Sequence, residues 1–336
     1  MIISSAPLRL SFNGGGSDLP AFTNRFMGKV VSVTIDRYVY VTVNKSYSSN
    51  FRIAYSRIES PTKIREINHP IVKACLEKYQ IRDYLEITSV ADIPSSGSGL
   101  GSSSAFTVAL ISALSRYTNT TKSQEQIAYE ACEIEIDLCK EPIGMQDQYA
   151  SAIGGLNVHT FMDDRVVVTE KVFTNQNESE KFITELNARI SFFQIPLDRN
   201  TTEILHRQNE IIAREADALD LTKKLVHLAE ESVESIRDFD FEKLGNEMTL
   251  GWEIKSQLNG DSQSFFYEDL RSKITSKGIL GGKLLGAGSG GFFAVLSEGI
   301  SQNEVTDIFK GFDKVDFKVR DTRPETLTIG RSDYKY

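Results

Sequence analysis

The 336-residue chain is poor in three residue types on which much protein chemistry rests: it has 3 Cys, 4 His and 1 Trp. Cys75, Cys132 and Cys139 are odd in number and lack metal-ligand spacing, which excludes a disulfide framework and a zinc cluster. Cys132 and Cys139 fall on one helical face and read as buried thiols of a reduced protein. His69, His159, His206 and His227 stand apart without a ligand pattern, so packing or surface roles are expected and no transition metal is called for. A basic surplus is missing as well: the formal net charge is -8, which leaves no electrostatic footprint for nucleic acid or an anionic membrane. No apolar run reaches membrane-spanning length, and Met1 leads straight into strand-like sequence without a basic leader. A cytoplasmic protein with small-molecule partners is expected.

What the chain does have is length, a 40% hydrophobic content and 23 glycines gathered in a few places. The length favours two domains. β-Branched and aromatic runs (PLRLSFNGGG, KVVSVTI, YVYVTVN) make the N-terminal third sheet-rich, with strands around a glycine turn. Helices are expected at Phe106–Tyr117 and Gln124–Lys140, and the polar stretch Thr174–Lys181 reads as a linker. Beyond it the order is a strand at ISFFQIP, helices over 202–257 and 267–276, a glycine loop, strand GFFAVLS, helix 302–311 and strand FKV. That order fits an α+β sandwich with an antiparallel sheet.

Three segments carry potential chemistry. In DIPSSGSGLGSSSA, residues 92–105, a glycine and serine loop runs into an apolar helix. Helix N-termini present unpaired N–H groups and the positive end of the macrodipole, so this junction can cradle a polyphosphate. Gly97, Gly99 and Gly101 give room, and Ser102, Ser103 and Ser104 supply hydroxyls for phosphate or Mg²⁺. In PLRLSFNGGGSDLP, alternation puts Arg9 and Ser11 on one strand face, and the glycine turn delivers Asp18. The third set is GMQDQY at 144–149 with the late loop KLLGAGSGGF at 283–292.

In this order and spacing the segments resemble the GHMP kinase superfamily, over essentially the whole chain. The resemblance implies an α+β fold of two domains, one like domain two of ribosomal protein S5 and one ferredoxin-like, divided as residues 1–182 and 183–336, with the active site between them. It further implies ATP and Mg²⁺ as cofactors. Pro94, Gly97, Ser98, Gly99, Leu100, Gly101, Ser102, Ser103 and Ser104 would bind the nucleotide phosphates, and Ser103 and Glu135 would ligate Mg²⁺, whose preference is for hard oxygens. Asp147 matches the family's catalytic aspartate, and Arg9 the basic residue beside it, able to offset charge on the migrating phosphoryl group. Asp18, Asn13, Ser17, Gly144, Gly288, Ser289 and Gly290 fall at sugar-binding positions.

Within the superfamily, LRLSFNGGGSDLPAF, TIDRYVYVTVN, GWEIKSQL and GILGGKLLGAGSGGF resemble the D-glycero-D-manno-heptose 7-phosphate kinases, which phosphorylate the anomeric hydroxyl and feed nucleotide-activated heptose for surface polysaccharide. Galactokinases carry glutamate and histidine where this chain has Gly15 and Gly16, so galactose is disfavoured and space is opened. Fucokinase-like kinases share the glycine-rich first motif and are the nearest competitor. A sugar-binding regulator without catalysis and a decarboxylase of the same fold are the rivals from other classes. A substrate phosphate calls for cations, and Arg25, Lys29, Arg37, Lys171, Arg199, Lys255 and Lys283 are available, with Lys255 and Lys283 ranked first.

Overall fold

The computed structural model describes residues 1–93, 98–196, 201–260, 266–286 and 290–330, without the side chains of 201 and 202. In chain order the first part runs β1 (Ile2–Asn13), α1 (Pro20–Thr23), β2 (Gly28–Lys45), β3 (Arg52–Ala54), β4 (Ile58–Glu59), α2 (Pro70–Lys78), β5 (Leu85–Ala91), α3 (Ser102–Tyr117), α4 (Gln124–Cys132), α5 (Gln146–Ile153), β6 (Leu156–Phe161) and β7 (Val167–Lys171). The second runs α6 (Gln176–Arg189), β8 (Ile190–Ile195), α7 (Thr201–Arg214), α8 (Ala216–Arg237), α9 (Phe241–Asn259), α10 (Tyr267–Ile274), β9 (Ile279–Leu284), β10 (Gly291–Ser297), α11 (Gln302–Ile308), β11 (Asp313–Val315) and β12 (Glu325–Thr328).

This is an α+β architecture with two sheets. The larger has the order β12-β1-β2-β5-β3-β4, with β6 joining β2 and β7 joining β6. Its pairings are antiparallel except for β3 with β5. The smaller is antiparallel, in the order β11-β8-β10-β9. Along β1 the even positions Ala6, Leu8, Leu10 and Phe12 are fully buried in the main core. The odd positions Arg9, Ser11 and Asn13 are buried too, but on the opposite face, so this strand is covered on both sides and one side is polar. That polar side becomes the floor of the site.

Several local expectations are corrected. KVVSVTI and YVYVTVN are one strand, β2, which passes through Asp36 and Arg37 without breaking; the Asp36 N–H donates to the Lys318 carbonyl at 2.8 Å, and Ile35 bridges Val319. The stretch 174–181 is no linker. Asn175 caps α6 by accepting from Asn177 N–H, and Phe182 and Leu186 anchor that helix in the core. The helix expected through Lys140 turns into a π-helix at Glu133–Leu138. The FKV strand lies earlier, at Asp313–Val315, while β9 and β12 add strands the pattern did not announce. The expected division at 182/183 falls inside α6, and β12 pairs with β1.

Candidate active site

A cleft of about 360 Å³ opens between the N-terminus of α3, the N-terminus of α5, the turn after β1, and helices α7 and α9. Its walls include Arg9, Asp18, Ser98, Gly99, Ser102, Ser103, Ser104, Gly144, Gln146, Asp147, Lys255 and Gly286.

The start of α3 is set by Gly101, whose φ of 79° puts it in the left-handed region that glycine tolerates. No side chain caps this helix, so the first-turn N–H groups are left for a ligand. The loop is tied down on both sides: Arg9 N–H donates to the Leu100 carbonyl at 3.1 Å, and Arg9 Nη1 to the Gly99 carbonyl at 2.7 Å. Leu100 itself is buried in the core, so it can offer a ligand only its backbone. Gly99 packs against Gly286 so closely that a methyl on either would run into the other's chain. The first and last glycine loops thus touch. Pro94, Gly97, Gly288 and Ser289 lie outside the described residues, as does Arg199; Gly290 is described, at φ 112°, and is absent from the cleft walls.

Asp147, in the first turn of α5, receives two bonds on one oxygen: Arg9 Nε at 2.8 Å and Nη2 at 2.5 Å both reach Oδ1. Its Oδ2 accepts no hydrogen bond among the described residues and lies on the side of Gly101. The arginine is buried while the carboxylate is about a quarter exposed, so the fixed partner sits inside and the free oxygen is reachable.

Asp18 is almost fully buried yet lines the cleft. Gly16 N–H (2.9 Å) and Gln146 Nε2 (3.2 Å) donate to Oδ1, and Gln146 N–H (3.1 Å) donates to Oδ2. Burial raises its pKa against the effect of those bonds. Gly144 is required here, since a methyl would overlap Asp18 Oδ2. Ser17 does not join the cleft: its hydroxyl donates within the turn to the Gly14 and Lys29 carbonyls and accepts from Lys29 N–H. Asn13 also lies beyond the cleft wall, donating to Ser232 Oγ at 2.9 Å.

Glu135 is fully buried behind Ser103 and Ser104. Ser103 (3.3 Å) and Thr107 (2.9 Å) donate to Oε1, while Ser104 (2.8 Å) and Gln148 (2.5 Å) donate to Oε2. Burial pushes its pKa up to about 7 despite these donors. The π-helix places this side chain, because one extra residue per turn rotates it relative to a continuing α4. Glu133 instead pairs with Lys78 at 2.8 Å. Among the described residues, no group of three His, Cys, Asp or Glu side chains converges on a common metal position. The donors present, one carboxylate beside an exposed serine hydroxyl, are hard oxygens and few, which suits Mg²⁺ better than a softer ion.

Of the candidate cations among the described residues, only Lys255 reaches the cleft with Arg9. Lys29 pairs with Glu230, Arg37 with Asp36, and Arg25 lies over the Phe26 ring. Lys171 lines a separate groove on β7. Lys283 is buried and donates to the Phe12 carbonyl at 2.8 Å. His69 stacks between Tyr55 and Phe106, and His159 beside Tyr149 and Phe161, as packing residues do. The sequence reading passed over Gln146 and Gln148, which flank Asp147. At about 100° per residue, three successive positions on a helix point to three targets, here Asp18, Arg9 and Glu135.

A helix N-terminus bare of caps, hydroxyls beside it and an arginine-held aspartate in the same cleft give the molecule the form of a small-molecule phosphotransferase. The chain belongs to the GHMP kinases: models of the GHMP kinase N-terminal domain and C-terminal domain match residues 67–155 and 232–312, together just over half of it. It is a sugar kinase of that family, in which ATP is the phosphate donor. It is 26% identical over 304 residues to the D-glycero-alpha-D-manno-heptose 7-phosphate kinase of Campylobacter jejuni, covering 87% of this chain and 88% of that one. It is 25% identical to the bifunctional fucokinase/GDP-fucose pyrophosphorylase of Arabidopsis thaliana, over 87% of this chain and 29% of that protein. In fold it matches a solved D-glycero-D-manno-heptose 1-phosphate kinase of Bacteroides thetaiotaomicron with a TM-score of 0.79, at 23% identity, over 98% and 100% of the two chains. Among the described residues no helix is long and apolar enough to cross a membrane.

Proposed function

We propose that this kinase transfers the γ-phosphoryl group of ATP to the anomeric hydroxyl of D-glycero-D-manno-heptose 7-phosphate, giving the 1,7-bisphosphate for nucleotide-activated heptose and surface polysaccharide. The observation that carries the catalytic reading is Asp147, held on one oxygen by Arg9 and open on the other, in one cleft with the α3 N-terminus. The heptose reading is supported by the Campylobacter relative, a heptose 7-phosphate kinase matched over most of both chains, and accords with the Bacteroides structure of like fold, a heptose 1-phosphate kinase. Those names agree on a heptose phosphate and differ on the phosphate's position. Open space at Gly16, where an added Cβ would meet nothing within 4 Å, leaves room for a longer acceptor.

In this reading the first-turn N–H groups of α3 with Ser102 bind the nucleotide phosphates. Phosphoryl transfer has a loose transition state, so it asks mainly for positioning and charge stabilisation. Ser103 and Glu135 would hold Mg²⁺ once the Ser103 hydroxyl turns off the carboxylate; when bound, the ion neutralises charge on the phosphate oxygens. Asp147 Oδ2 accepts the proton of the anomeric hydroxyl, Arg9 offsets charge on the moving group, and Asp18 orients the sugar through its hydroxyls. A fucokinase-like activity is the alternative, motivated by the Arabidopsis relative.

The test is ADP release from Mg-ATP with D-glycero-D-manno-heptose 7-phosphate, mannose, galactose and fucose. Preference for the heptose phosphate is expected. Asp147→Asn is expected to lose about 10²–10⁴-fold in kcat while nucleotide binding persists. Activity only on an unphosphorylated sugar overturns the substrate; near-normal turnover of Asp147→Asn overturns the aspartate's role.

A further inference from the structure

Arg9 is answered by Asp147, and Asp18 by backbone and amide donors, with no cation bonded to it. Two ammonium groups remain. Lys255 Nζ donates to the Gly286 carbonyl at 2.7 Å and Lys283 Nζ to the Phe12 carbonyl at 2.8 Å, and neither has an ion pair among the described residues. Burial holds the Lys283 pKa well below its ordinary value, whereas Lys255 feels the Asp18 and Asp147 carboxylates through space without making an ion pair, and an anionic ligand bonded to it would offset the cost of its burial directly.

Which lysine a ligand can reach is decided by volume. Behind the cleft lies a chamber of about 20 Å³, lined by Ser11, Asn13, Gly15 and Lys283 among others, with Ser11 Oγ and Asn13 Oδ1 buried and unpartnered. It has room for about one water and not for a phosphate. Lys255 lines both the chamber and the cleft, whereas Lys283 lines the chamber alone. On the chamber side a Cβ on Gly15 would lie 3.3 Å from Gln146 Oε1 and 3.5 Å from Lys255 Nζ, so glycine keeps a side chain from crowding either group there. Burial lowers the Lys255 pKa to about 8, so the group is still mostly charged at neutral pH.

We propose that Lys255 is the residue that selects a phosphorylated acceptor, its ammonium leaving the Gly286 carbonyl to pair in the cleft with the phosphate carried by the sugar. Lys283 stays behind as a tie to the Phe12 carbonyl. The inference rests on the sugar-phosphate reading and adds to it the group that makes the distinction.

The test compares kcat/KM for heptose 7-phosphate and for the same heptose without phosphate, at saturating Mg-ATP, in the wild type, Lys255→Met, Lys255→Arg and Gly15→Glu. The last variant sets a carboxylate against the ammonium while Lys255 itself stays in place; its Cβ would also lie 3.3 Å from Gln146 Oε1, which affects both sugars alike and leaves the ratio between them as the readout. The preference for the phosphorylated sugar is expected to fall about a hundredfold or more in Lys255→Met and in Gly15→Glu, and to be partly kept in Lys255→Arg. KM for ATP is expected to hold in every variant, and the thermal midpoint in the two Lys255 variants. A wild-type preference that both Lys255→Met and Gly15→Glu retain, or a loss confined to ATP affinity, overturns this inference alone. A wild type indifferent to the phosphate overturns the substrate reading and the inference with it.

Discussion

Arg9 directs two nitrogens at one oxygen of Asp147 and a third at the Gly99 carbonyl, so a single side chain ties β1, the phosphate loop and α5 together. Close packing of this kind makes single atoms matter. Gly144 faces Asp18, and the methyl of Gly144→Ala would displace the carboxylate from the Gln146 N–H that orients it. If Asp18 positions the sugar, acceptor KM is expected to rise tenfold or more, roughly the cost of one misaligned charged hydrogen bond, with KM for ATP little changed. Steady-state kinetics with each substrate varied in turn checks this, and an unchanged acceptor KM would remove Asp18 from the sugar site. At this scale much could be read in advance. Arg9, Asp18, Gly99, Ser102–Ser104, Gly144 and Asp147 stand around one cleft, because glycines and charged residues at strand ends and helix starts carry strong local signals. Ser17 and Asn13 could not be told from them, since whether a polar side chain turns to ligand or to its own turn depends on partners such as Lys29 and Ser232, distant in sequence.

Elements were legible where one face was apolar and illegible where tertiary bonds decided. The strand at Gly291–Ser297 and the long helices follow their patterns. The π-helix at Glu133–Leu138 has no such mark, because its insertion is stabilised by the bonds Glu135 receives from α3 and α5. β6 offers a measurable consequence of an element buried on both faces. His159 is fully buried there, its Nδ1 bonded to Thr169 Oγ1 at 2.9 Å and its Nε2 unpartnered, and burial lowers its pKa from 6.5 to about 4. Unfolded histidine takes a proton near pH 6.5, while the folded one stays neutral down to about pH 4. The stability due to His159 is therefore complete above pH 6.5 and is lost as pH falls from 6.5 towards 4, by about 3 kcal/mol in all. Urea midpoints at pH 7 and pH 5 are expected to differ less in His159→Gln than in the wild type. An equal drop in both proteins would assign the acid sensitivity to other groups.

At the scale of the whole molecule, the two sheets share one core. Leu8, Leu10 and Val41 of the large sheet lie in the same cluster as Phe192, Val233, Leu244, Met248, Leu285 and Phe292. Polar ties run across as well: Lys283 to the Phe12 carbonyl, Asn13 to Ser232, Thr34 Oγ1 to the Arg320 carbonyl at 2.6 Å, and β12 along β1. Met1 N donates to the Ile329 carbonyl at 3.1 Å, just beyond β12. This return of the C-terminal segment could not be seen in the sequence, because Glu325–Thr328 is short and mostly exposed and takes its strand conformation from β1. A fragment of residues 1–182 would lack β12 and the partners of its core. Each large apolar side chain contributes about 1.5–3 kcal/mol by burial, so losing the six just named would alone remove as much as the roughly 5–15 kcal/mol that keeps a domain folded. The full chain is therefore expected to melt in one cooperative transition by calorimetry, and the 1–182 fragment to show none in near-ultraviolet circular dichroism. Two resolved transitions in the full chain, or a fragment with its own sharp melt, would mean that the shared cluster does not couple the halves and that the cleft is a joint between independently stable bodies.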